Sequence, residues 1–119
     1  MTTLNRTSHF DTGPLSWVIG EIRDALDRAG SALRDAAGRP ADAQPTLLLH
    51  AKSHLHQAHG ALQLVDVDAA GTYTGAAEQV LDRFKEGQLA CTPEHAQVVL
   101  DAFGALAEYL EELLSGAAQ

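Results

Sequence analysis

The chain has 119 residues, enough for one domain with a modest core. Sixteen acidic residues against eight Lys and Arg give a net charge of −8, which argues against a nucleic-acid partner or an anionic membrane surface. The single cysteine, Cys91, has no internal disulfide partner and fits a reducing cytoplasm. No apolar run approaches the roughly 20 residues of a bilayer span. Residues 1–12 are polar and lack the apolar core of a signal peptide.

Residues 1–13 read as a polar N-terminal segment, and 14–115 as one helical domain. Ser115-Gly116-Ala117-Ala118-Gln119 reads as the start of a linker, assigned to residues 116–119. The first helix follows Asp11-Thr12-Gly13-Pro14, where Asp11 or Thr12 can cap and Pro14 suits the first turn. Its apolar stripe is Leu15, Val18, Ile19, Ile22, Leu26, Ala29 and Leu33. Gly38-Arg39-Pro40 stops it, and a short loop closes at Pro45.

The second helix starts near Thr46 with the stripe Leu48, Ala51, Leu55, Ala58, Leu62 and Val65. The third runs from about Ala69 to Lys85 and turns Tyr73, Ala77, Val80, Leu81 and Phe84 inward, with Gly87 as a left-handed stop. The fourth opens at Thr92-Pro93-Glu94, a cap, a first-turn proline and an acid at the positive end of the dipole. Its stripe is Val99, Ala102, Phe103, Leu106, Leu110 and Leu113. No strand-like alternation occurs. Four helices joined by short loops predict an all-α, antiparallel four-helix bundle, with Ile22, Leu26, Leu55, Leu62, Leu81, Phe103, Leu106 and Leu110 in its core.

Chemistry concentrates on the second helix. At about 100° per residue, His56 points roughly 130° from the centre of the apolar stripe, into solvent. Gly60 lies one turn further along the same face. A helix-interior glycine costs roughly 1 kcal/mol relative to alanine. An exposed neutral imidazole is a nucleophile near neutral pH, and a missing side chain one turn away leaves room for a docking protein. His54 and His59 flank the stripe on opposite sides. His50 and His54 are four apart, but two ligands are too few for a stable metal site, and none is expected.

His56-x-x-His59-Gly60 resembles the histidine-containing phosphotransfer motif, in which histidine is followed three residues later by lysine and then by glycine. His56 falls on the phosphoacceptor, His59 on the lysine and Gly60 on the glycine. Together with Leu15-Ser16-Trp17-Val18-Ile19-Gly20-Glu21-Ile22, the stretch Leu55–Val65 resembles the N-terminal domain of the chemotaxis-type hybrid histidine kinases of type IV pilus systems, which control twitching motility. The resemblance implies a phosphorelay domain that exchanges a phosphoryl group with a receiver-domain aspartate. It also implies that the receiver supplies magnesium, that this domain binds no cofactor, and that it is no complete enzyme by itself. Kinase activity then belongs to another part of the polypeptide.

The alternative is a phosphorylation-inactive scaffold that recruits a signalling or pilus-regulating protein. Similar stand-alone domains have taken that course, and His59 in place of lysine leans toward it. Trp17 points away from its helix's stripe; either Phe10 and the N-terminal segment fold back to cover it, or it is a candidate partner anchor. Gln57 and Gln63 beside the histidine face are candidate partner contacts. Cys91 reads as an inert loop cysteine.

Overall fold

The structure is a computed structural model that describes residues 12–65 and 67–116. Four α-helices and one short 3₁₀ turn account for nearly all of them, with no strand among the described residues. Helix α1 spans Thr12–Ala37, α2 Gln44–Leu64, α3 Asp68–Lys85 and α4 Pro93–Ser115, with the 3₁₀ turn at Ala41–Ala43. Helix α1 is described from Thr12, and Asp11, one of its two expected caps, lies outside the described residues.

The helices alternate in direction. Along α2 and α3, Lys52 meets Asp82 and His56 meets Glu78, so numbers rise on one helix as they fall on the other. Likewise Arg23 of α1 pairs with Glu111 of α4, while Gly30 lies against Leu100 and Phe103. The main packed interfaces are α1 on α2, α2 on α3 and α1 on α4. This is the antiparallel bundle that the helical periods predict.

All eight residues expected in the core are buried. Leu15, Ile22 and Leu33 of α1 meet Leu48, Leu55 and Leu62 of α2 in one continuous cluster that includes Leu81, Phe84, Phe103, Leu106 and Leu110. Each such side chain contributes on the order of 1.5–3 kcal/mol when taken fully out of water. Alanines at 25, 29, 36, 51 and 58 lie in the same cluster and let helix axes approach. Gly30 serves the same end: a Cβ there would sit 3.2 Å from the Leu100 methyl.

Local signals set the helix ends. Helix α2 begins two residues earlier than the sequence suggests, because Pro45 occupies its first turn rather than closing the loop. Thr92 accepts the His95 backbone N–H at 3.1 Å and caps α4. The His95 ring donates from Nδ1 to the Ala90 carbonyl at 2.7 Å, which fixes the preceding loop. Gly87 takes φ +78° just past α3, a left-handed conformation that only glycine adopts without cost. The Gln44 amide sits 3.0–3.2 Å from the carbonyls of Ala36, Arg39 and Cys91, so one side chain ties together the end of α1 and both loops at that end of the bundle.

Tyr73 departs from expectation. It is exposed rather than inward. The backbone of α4 approaches α1 more closely than α3, which leaves a groove along the outer edge of the α3–α4 seam. Tyr73 and Tyr109 line an apolar groove of about 300 Å³ there, with Ala69, Ala70, Ala105 and Leu106. Ala77 and Val80 are partly buried, as a flanking position requires.

Candidate functional site

Helix α2 buries Leu48, Ala51, Leu55, Ala58 and Leu62, which turns the row Leu49, Ser53, His56, Gly60 and Leu64 toward solvent. The His56 side chain is 75 % exposed at the middle of this row. A methyl group placed on Gly60 would meet no heavy atom within 4 Å. Among the described residues, packing therefore does not require the glycine, although it weakens a helix interior. Leu64, two turns beyond His56, is 83 % exposed.

On its α3 side, His56 is not free. Its Nδ1 lies 3.1 Å from Glu78 Oε1. His59 Nδ1 lies 2.9 Å from Glu78 Oε2. One carboxylate thus receives both rings, one on each oxygen. A carboxylate has no proton to give, so each Nδ1 carries the hydrogen and donates. In a neutral ring so held, Nε2 is the atom with the free lone pair. The His59 side chain is 21 % exposed and that of Glu78 13 %. The Glu78 charge is compensated by these two donors at the edge of the core. The two ring centroids are 6.2 Å apart and the planes are tilted by 48°, so the rings do not stack face to face, and the carboxylate bridges them.

One turn away the same seam carries a second pair. Lys52 Nζ lies 2.8 Å from Asp82 Oδ1. The hydrogen bond to Asp82 holds the Lys52 ammonium above the ordinary lysine range, helped by the negative charges of Glu78 and Glu86 and opposed by partial burial. Lys52 and His56 are four apart on α2, and Glu78 and Asp82 are four apart on α3, so the antiparallel register brings both pairs together at once.

The structure brings His56, His59 and Gly60 onto one patch. Gln57 and Gln63 fall on opposite sides of it. Gln57 lines a groove of about 380 Å³ between α1 and α2 with Glu21, Asp24, Arg28 and Ala61. Gln63 lines one of about 560 Å³ between α2 and α3 with His59, Thr72, Gly75 and Gln79. Trp17 is 88 % exposed on α1, one turn before Glu21. His54 stays apart, with Nδ1 3.4 Å from Gln57 Oε1. Among the described residues no group of three or more His, Cys, Asp or Glu is placed to hold a metal ion. Cys91 is buried, and burial pushes its thiol up from the ordinary range, so it supplies little thiolate.

Sequence reasoning missed Glu78, Lys52 and Asp82. Their signal lies in the matching four-residue spacings, which acquire meaning only once the register of α2 against α3 is known.

The family model of the Hpt domain matches residues 15–116. The chain belongs to the Hpt domain family. Neither the curated proteins nor the solved structures give a match to it. Membership assigns the bundle to histidine phosphotransfer in two-component phosphorelay, with response-regulator receiver domains as partners. No helix among the described residues is long and apolar enough to cross a membrane.

Proposed function

We propose that this Hpt domain is an active phosphoryl carrier with His56 Nε2 as its acceptor atom. The observation that carries the reading is the Glu78 contact at His56 Nδ1. It fixes the tautomer whose lone pair is on the exposed nitrogen. In the transfer, that lone pair attacks the phosphorus of a receiver's aspartyl phosphate. The N–P bond forms as the P–O bond breaks, and the electron pair leaves with the aspartate carboxylate. The imidazole becomes positive as the bond forms, and Glu78 on its far side stabilises that charge. A buried carboxylate behind a catalytic histidine works in the same way in hydrolase triads. The reverse transfer uses the same contacts. Magnesium and the remaining charge stabilisation come from the receiver.

The exposed row of α2 is the docking surface in this reading. A receiver must bring its aspartate to His56, so it covers Gly60, Gln57, Gln63 and Leu64, with Trp17 of α1 at the edge. Glycine at position 60 leaves room for that approach. The resemblance to the N-terminal domain of type IV pilus chemosensory kinases supports a cytoplasmic relay within such a hybrid kinase as its setting.

The test is labelling by phosphoramidate, a small donor that needs no docking surface, followed by transfer to purified receiver domains. His56 should be labelled, and His56→Gln should remove the label while keeping the helical circular dichroism of the wild type. An unlabelled, folded wild type would leave the scaffold reading, in which the same face recruits a partner without chemistry.

A further inference from the structure

The Hpt motif has lysine three residues after the acceptor, where this chain has His59. A phosphoryl group on His56 would be a dianion beside the carboxylates of Glu78 and Asp82. Among the described residues α2 carries one Lys or Arg, and it is Lys52. On α3, Arg83 and Lys85 lie in the last turn, beyond Asp82 and further from His56. His59 has its Nδ1 committed to Glu78 and is mostly covered. One turn either side of the acceptor α2 carries Lys52 and His59, and on α3 Glu78 meets the acceptor and Asp82 lies one turn further on. Across the other groove, Arg28 of α1 lines the same wall as Gln57 and is paired with Asp24 at 3.2 Å.

We infer that Lys52 is the cation that holds the phosphoryl group on His56, standing one turn before the acceptor in place of the motif's lysine one turn after it. The inference rests on the acceptor reading above. In the unphosphorylated domain Asp82 stores the ammonium at 2.8 Å on the same flank of α2 as His56. Residues four apart on a helix are neighbours, and the flexible lysine stem lets the point charge swing from the carboxylate to a phosphoryl oxygen. His59 is left with a different task, which is to hold Glu78 from its second oxygen. Lys52 and Asp82 are both partly exposed, so the exchange opens no buried cavity.

The two partners of the pair separate this role from a structural one. If the Lys52–Asp82 bridge only braces α2 against α3, removing either partner has the same effect. If Lys52 serves the phosphoryl group, the partners act in opposite directions, because Asp82 competes for the ammonium.

The experiment labels wild type, Lys52→Met, Lys52→Arg and Asp82→Asn with phosphoramidate. It follows phosphohistidine by ³¹P NMR as steady level and decay, with melting curves to confirm folding. Lys52→Met should lower the level about fivefold, the scale of one charge-assisted hydrogen bond at a partly exposed site. Lys52→Arg should retain most of it, and Asp82→Asn should raise it about twofold or more. Equal levels in wild type and Lys52→Met, or a fall in both Lys52→Met and Asp82→Asn, would overturn the inference. Absence of label in wild type would instead remove the acceptor reading, and this inference with it.

Discussion

Replacing Glu78 by glutamine keeps the size of the side chain and removes its charge. In the native site each carboxylate oxygen accepts from one Nδ1, at 3.1 Å from His56 and 2.9 Å from His59. An amide has one acceptor and one donor end. It can satisfy one ring as it stands, but its NH₂ then faces the Nδ1–H of the other. His59 is the less exposed ring and retains the acceptor, because leaving a covered donor unpaired costs more. His56 then loses its partner and is free to move the proton to Nε2, which blocks the nucleophile.

A hydrogen bond to a charged group contributes about 1.5–3 kcal/mol. His56 is 75 % exposed, so screening and water competition reduce its share to about 1 kcal/mol. At roughly 1.4 kcal/mol per tenfold in rate, phosphoramidate labelling of Glu78→Gln should slow about fivefold. Its ¹⁵N NMR spectrum should show the His56 proton shifting from Nδ1 toward Nε2. Labelling at the wild-type rate with an unchanged His56 tautomer would refute the argument that Glu78 orients the acceptor.

Gly60→Ala should stabilise the isolated domain by about 1 kcal/mol, seen as a rise of roughly 4–8 °C in Tm. It should leave phosphoramidate labelling intact while slowing transfer from a receiver domain; a lower Tm would show that the glycine serves the fold. Leu62→Ala removes a fully buried side chain of α2. It should cost about 2–5 kcal/mol in chemical denaturation, whereas Trp17→Ala should change stability by less than about 0.5 kcal/mol. Cys91 should react slowly with thiol reagents in the native state at pH 8 and rapidly in denaturant. Its raised native pKa means that its contribution to stability is whole below the ordinary thiol range and declines as pH rises through the native value. Urea melts that showed stability rising with pH above about 9, and doing so only when Cys91 is present, would contradict that sign. The Lys52 pKa is likewise raised in the native state. The stability difference between wild type and Lys52→Met should stay constant from pH 7 to 9 and shrink only above the ordinary lysine range of about 10.4.

The amino-acid sequence determined the helices, their inward faces and the exposure of His56, because these follow from a local period of 3.6 residues. Leu55 and Leu62 are buried and His56 is exposed for one reason: a helix cannot turn all three the same way. Caps and stops such as Thr92 and Gly87 are local in the same sense. Tyr73 was misplaced because its burial depends on how closely α4 approaches α3, which the period of α3 does not contain. The site's polar frame was hidden for a similar reason. His56 and Glu78 are 22 residues apart, and Lys52 and Asp82 are 30 apart. Nothing in either helix alone says which acid meets which base. Only the packing of α2 on α3 set that register, and with it the contact of Glu78 with Nδ1 of His56.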